Sequence, residues 1–243
     1  RLRGNGFFGF PVDSTREGPD SERRFVGVSA DVGTLANAWD FSFYAVDQQY
    51  SGVTDRQAVG IEVRYFRPGI TIVGLADFDI HYSTLNTVLL LGTFALPARW
   101  TLNLNLDHRT SPGLSTRNAM IGQPVRRFDE LFGLYTTREI EQLALDRTSE
   151  STMYSAGVSR PFGERWQWSL DASTMTLGST RESGGVAATP SSGTDTAVST
   201  QAMGYGLFGR GDVTSLGLQY LTGASSQMLS LGVGTQLPIG ERW

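Results

Sequence analysis

Cysteine is absent from the 243 residues, and so is lysine, every one of the 20 basic side chains being arginine. Without thiols there are no disulfide staples and no thiolate metal sites, which suits an oxidising envelope compartment. The missing lysine is a compositional bias to which we attach no mechanism. There is no surplus of positive charge either. The formal charge is -4, whereas a nucleic-acid surface is normally basic, so nucleic acid is not expected as a partner. Long apolar runs are lacking: residues 88–97, with Thr93 inside, form the longest and fall far short of the roughly 20 residues a membrane helix needs. That excludes a helical span and leaves strands closed into a barrel as the one route across a bilayer. Glycine-rich phosphate loops and metal-ligand clusters are absent in recognisable form, so no cofactor and no metal is expected. The chain opens on Arg1 with no Met and no apolar h-region, which fits a signal peptide removed or lying upstream.

What is present is alternation. Residues 100–109, WTLNLNLDHR, set Trp100, Leu102, Leu104 and Leu106 against Thr101, Asn103, Asn105, Asp107 and Arg109. A period of two is a β-strand with one apolar and one polar face. Its length and its terminal Trp also match a transmembrane strand of roughly 9–11 residues with an aromatic at the interface. Similar segments recur along the chain, giving about twelve strands, with hairpins about every thirty residues where no insertion intervenes. The fold class expected is all-β, an antiparallel up-and-down transmembrane β-barrel spanning residues 1–243.

Two regularities favour a barrel over a soluble sandwich. Numbered in order, the long connections at residues 110–151 and 178–194 and the charged one at 13–22 fall at odd positions, and the tight turns are expected at even ones. Long loops at one end and short turns at the other is the asymmetry of outer-membrane barrels. The second is a repeated turn: LPARW at 96–100, RPFGERW at 160–166 and LPIGERW at 237–243, with ANAW at 36–39 a looser version. Each places a Trp at the short-turn end, so Trp39, Trp100, Trp166 and Trp243 are expected to form half of an aromatic girdle. Since the first two copies each begin a strand, Trp243 is expected to begin another, making this a segment of a larger barrel. The alternative, a terminal aromatic of a barrel-assembly signal, would place Pro238 and Gly240 inside a strand.

The inner faces inferred from this alternation carry Asp40, Glu62, Arg64, Asp77, Asp79, His81, Asn103, Asn105, Asp107, Arg109 and Asp171, a polar lumen of mixed charge. The long connection has the one helical pattern. Phe128, Leu131, Phe132 and Tyr135 recur at helical spacing, and Thr136 with Glu139 offers a capping box for a second short helix through Ile140 and Leu143. Such an apolar face either enters the barrel mouth as a plug, received by Leu89 and Leu91, or packs outside it as a cap. The Ser/Gly/Thr-rich loop at 178–194 is expected to be mobile. Asp77, Asp79 and His81 share one strand face, but a catalytic pair needs an opposing side that the sequence does not supply. Neither His81 nor His108 has the spacing of a base beside a nucleophile, so the chain is read as no enzyme.

The runs GFPVDSTR at 9–16, AVGIEVRYFRPG at 58–69, LDHRTSP at 106–112 and RNAMIGQP at 117–124 resemble the C-terminal barrel region of proteobacterial outer-membrane proteins that carry tetratricopeptide repeats upstream. No tetratricopeptide pattern occurs in this sequence. The resemblance implies an outer-membrane anchor or export pore of a Gram-negative bacterium. The function expected is a pore or export conduit gated or plugged by the insertion; the alternative is a non-conducting barrel that anchors or polymerises an envelope assembly. Partners expected are the outer-membrane bilayer, periplasmic or cell-surface proteins, and a second copy of the chain.

Overall fold

The computed structural model describes residues 2–9, 23–35, 38–224 and 226–237. Twelve strands follow in chain order: β1 (Leu2–Gly9), β2 (Arg23–Leu35), β3 (Trp39–Tyr50), β4 (Val53–Arg67), β5 (Ile70–Asp79), β6 (Thr84–Leu96), β7 (Trp100–Ser111), β8 (Ser149–Phe162), β9 (Trp166–Leu177), β10 (Gly193–Tyr205), β11 (Val213–Thr222) and β12 (Gln227–Gln236). All pairings are antiparallel between consecutive strands, and β1 and β12 are the two edges of the sheet. Edge position shows in exposure. On β12, Leu229, Leu231 and Val233 are 69%, 70% and 73% exposed, against 41%, 44% and 50% for their β11 neighbours Tyr220, Leu218 and Leu216.

Turn chemistry follows the sequence. Pro68-Gly69 joins β4 to β5, Pro presetting its own φ and Gly69 taking a φ of 79°. The β3–β4 link is tighter than expected, a two-residue Ser51-Gly52 turn with both residues at positive φ. It lies at an odd position, so tight turns are not confined to one end. Conversely, the even connection at 206–212 is seven residues long. The sorting of ends survives in the insertion at 112–148 and the loop at 178–192, both at the end that we call the loop end.

Paired residues share a face, so the register carries each face across the whole sheet. Leu104 on β7 is opposite Gly92 on β6 and Ala156 on β8; Ala156 leads to Ala172, Val198 and Tyr220. In the other direction, Gly92 leads to Ile72, Tyr65 and Trp39. This face is largely apolar through its middle. The opposite face holds the polar side chains, and several of its glycines receive a large neighbour: Phe7 lies over Gly27, Phe25 over Gly9 and Tyr44 over Gly60, each its direct cross-strand partner. Flat rings on facing glycines keep a strongly bent wall packed.

Fully buried apolar side chains are few, as expected of a wall that faces lipid rather than a second layer. Those that cluster are Tyr50, Ala119, Phe128, Leu131, Ile140, Leu143 and Ala144. The dry core thus belongs to the insertion, not to the sheet.

Candidate functional site

The outward face has the chemistry of a bilayer-spanning wall. Its charges stand at strand ends: Arg24, Asp47 and Glu150 near the loops, Arg67 and Arg160 near the turns. Polar side chains nearer its middle satisfy one another, as hydrocarbon requires. Trp168 Nε1 donates to Thr200 Oγ1 at 2.8 Å, and Thr200 donates in turn to the Ser169 carbonyl at 2.9 Å. His108 bonds Thr152 at 2.8 Å. Trp39, Trp100 and Trp166 begin strands at the turn end, as read from the sequence. Around them gather Tyr65, with its ring centroid 4.5 Å from that of Trp39, and Trp168, 5.8 Å from Trp100. Arg160 lies over the Trp100 ring at 5.5 Å and Arg67 over Tyr65 at 5.7 Å. Such cation–aromatic pairs suit an interface where the ring is immersed and the charge is wet. Trp168 joins this girdle although the turn signature did not mark it; its two-residue offset from Trp166 was the available signal. Trp243 lies outside the described residues.

Inside, the two halves of the wall differ. On β3–β6, two β-bulges insert one extra residue each, Asp55 between the Gln49↔Thr54 and Gln48↔Arg56 pairs and Asn86 between Thr87 and Leu85. Both extra residues are buried and both hold the insertion. Asp55 accepts from Ser115 Oγ at 2.6 Å. Asn86 Oδ1 accepts from Thr110 Oγ1 and from Leu114 N, while its amide donates to Asp77 at 3.0 Å. A bulge re-aims side chains near a rim, and here that re-aiming makes the anchor. Asp77 also accepts from Tyr44 and Arg56. Arg56 reaches Asp79 as well, at 3.9 Å, an ion pair rather than a hydrogen bond.

The insertion itself has three short helical pieces: 3₁₀ turns at Thr116–Met120 and Phe128–Gly133, and α1 (Thr137–Asp146). The first 3₁₀ turn was not foreseen, and the second replaces an expected helix. Thr136 caps α1 as predicted, with Thr136 N donating to Glu139 Oε2 at 2.7 Å. This bond, together with that from the Thr136 hydroxyl, holds the Glu139 carboxyl below its ordinary pKa. Phe128, Leu131, Ile140 and Leu143 are buried, Tyr135 is half-buried, and Phe132 is exposed, edge-on to Phe128. The receiving surface is Tyr50, Val53 and Tyr82, not Leu89 and Leu91. Tyr50 meets Phe128 edge-on at 5.0 Å. Tyr50 belongs to the inner face, so the insertion enters the mouth on that side.

On its other flank the insertion grips the 178–192 loop, expected to be mobile. Arg147, nearly fully buried, donates to the carbonyls of Arg181, Ser183, Val186 and Ala187. Gln123 bonds the Gly184 carbonyl at 3.0 Å. Because one small unit bonds both the β3–β4 rim and a loop five strands further along the sheet, the wall must curve around it.

The remaining wall, β6–β11, borders a cavity of about 570 Å³ lined by Asn103, Asn105, Ser155, Asp171, Ser199 and Gln219 among others. Asn103 accepts from Thr93 at 3.0 Å. No described residue hydrogen-bonds or pairs with Asp171.

The register places Asp40, Glu62, Arg64, Asp77, Asp79, Asn103, Asn105, Asp107, Arg109 and Asp171 on the inner face, as read from the alternation. It does not gather them. Glu62 pairs with Arg64 and Asp107 with Arg109, each two residues along one strand. His81 is a correction: β5 ends at Asp79, whose carboxylate accepts the Tyr82 N–H at 2.9 Å and turns the chain. His81 is thereby lifted onto the rim, 3.0 Å from Glu141 of α1. Missed residues include Arg56 and Asp195, just outside the strand limits read from alternation, and Asp55 and Asn86, since a bulge breaks the period that would reveal them.

An up-and-down antiparallel wall with an apolar outer band, a Trp-rich girdle at one end and a polar interior is the architecture of an outer-membrane β-barrel. Two solved structures are similar in fold. One is the NanC porin in a rhombohedral crystal form, at 10% identity over 98% of this chain and 99% of that chain, with a TM-score of 0.36. The other is Wzi, an outer membrane protein involved in group 1 capsule assembly in Escherichia coli and described as a carbohydrate-binding β-barrel. There the identity is 11% over 92% of this chain and 53% of that chain, with a TM-score of 0.42. No protein-family model and no curated protein matches the sequence.

Proposed function

We propose that the chain forms an outer-membrane conduit in which the insertion is a fixed half-plug rather than a swinging gate. The observation that carries this reading is the cavity along the inner face of β6–β11, lined in part by hydroxyl, amide and carboxylate side chains and by no residue of the insertion. The insertion is bonded to Asp55, Thr54 and Asn86 on one side and to residues 181–187 on the other. It therefore narrows the mouth over β3–β6 without sealing the opposite wall. The bilayer is the first partner, and the resemblance to tetratricopeptide-associated barrels agrees with a role in export.

A second reading, a non-conducting barrel that anchors a surface assembly, is favoured by that same two-sided fixation, which stiffens the loop end as a docking platform. Planar-bilayer recording of the purified protein separates the two. Steady single-channel current, increased when residues 115–149 are deleted, is the outcome expected of a half-plugged conduit. Silence from protein shown to be inserted would establish the anchor instead.

A further inference from the structure

Resting on the conduit reading, we infer that the open path runs over the inner face of β8–β12 and selects small cations against anions, with Asp171 and Asp195 as the selecting residues. The inner positions of these five strands, read by register, are serine, glycine, glutamine, alanine, methionine and a few other uncharged residues, with those two carboxylates and no arginine. The contrast lies across the lumen. Every inward arginine of β4 and β7 is already matched: Arg56 by Asp77 and Asp79, Arg64 by Glu62, Arg109 by Asp107. Along β4 and β7 a passing anion therefore finds cations whose charge is already spent on neighbours, and along β8–β12 it finds none; the other inward arginines of the described strands, Arg3 and Arg23, stand on β1 and β2.

Asp171 and Asp195 are both exposed, and neither makes a hydrogen bond or ion pair with another described residue. Each extends over a glycine on the adjacent chain segment. A Cβ on Gly157, the direct register partner of Asp171, would collide with that carboxylate, and a Cβ on Gly223 would collide with Asp195. The glycines leave the space in which each carboxylate stays solvated and unpaired. By register Asp171 is opposite Ser199, four residues from Asp195 on β10. At a rise of about 3.3 Å per residue, the two charges stand in file roughly 13 Å apart. That spacing exceeds the Debye length of about 8 Å at physiological salt, so the carboxylates act as two successive cation stations rather than one repelling pair. Around Asp171 the lining hydroxyl and amide oxygens of Asn103, Ser155, Ser199 and Gln219 supply further acceptors for a partly dehydrated cation.

The test is the reversal potential of the full chain in a potassium chloride gradient across a planar bilayer. The expected result is a potassium-to-chloride permeability ratio of about five at 0.1 M salt, falling toward one at 1 M, where the Debye length is about 3 Å. The Asp171→Asn/Asp195→Asn double variant is expected to lose most of this preference while conducting, and Asp171→Arg to reverse it. Current without cation preference, or a preference unchanged in the double variant, would overturn the selectivity and leave the conduit standing. No current from inserted protein would overturn both.

Discussion

The inner faces of β3–β6 and β8–β12 are built on the same alternation, yet one is committed to structure and the other is left free. On β3–β6 the polar side chains are large, bulged or paired: Tyr44, Arg56, Asp77 and Asn86 form a connected network under the insertion. On β8–β12 they are mostly hydroxyls and amides, and the carboxylates among them, Asp171 and Asp195, pair with no other described residue. Polar residues at lumen positions therefore do not by themselves mark a transport path. A buried, cross-linked set fixes a plug, and a thin, solvated set leaves room for solute.

The comparison is sharpened most by removing a charge from the committed wall. Arg56→Met leaves Asp77 and Asp79 buried without their cation, and loss of one partner of a buried pair costs about 3 kcal/mol or more. We expect a correspondingly lower urea midpoint for the folded barrel in detergent. Asp171→Asn on the free wall is expected to change stability by less than about 0.5 kcal/mol and so leave that midpoint nearly unmoved. Equal effects would remove the distinction between the walls.

The next effect concerns the boundary strand, β7. Leu104→Arg puts a cation at mid-strand on the outer band, where it costs about 2–4 kcal/mol at the bilayer midplane. Heat-modifiable migration should show failed assembly, whereas Asn103→Arg, one residue away and facing the lumen, should assemble. Identical behaviour would mean the two faces are misassigned.

The smallest effect is a pH dependence confined to the plug. The folded Glu139 carboxyl lies below its ordinary value of about 4.5, lowered first by the Thr136 N–H. Its cap therefore stabilises α1 fully above that value and loses this contribution as pH falls through the depressed one. Hydrogen exchange at residues 137–140 should rise at low pH in the natural protein. Glu139→Gln should flatten the response, and exchange in β8–β12 should not follow it.

Much of this was legible in the sequence. Period-two alternation gave the strands and both faces, because burial on one side of a strand imposes its pattern directly. Pro68-Gly69 and the Trp-bearing turns gave one end of the barrel. What escaped was decided by single residues that interrupt a period. Asp55 and Asn86 each add one residue to one strand, and no repeat reveals an insertion of one. His81 reads from the sequence as a wall residue because nothing local shows that the Asp79 side chain stops the strand. Leu89 and Leu91 are apolar and inward, as a plug seat should be, but the bulges steer the insertion to Tyr50 and Val53 instead.

The dry core of the insertion also orders events in time. Tyr50 and Val53 come from the β3–β4 hairpin, and Arg147 needs the carbonyls of a loop some forty residues downstream, from Arg181 to Ala187. These partners converge only when the wall has already curved. The insertion is consequently the last piece to set. Protease resistance of residues 112–148 is therefore a clock that starts when the wall has taken its curved shape.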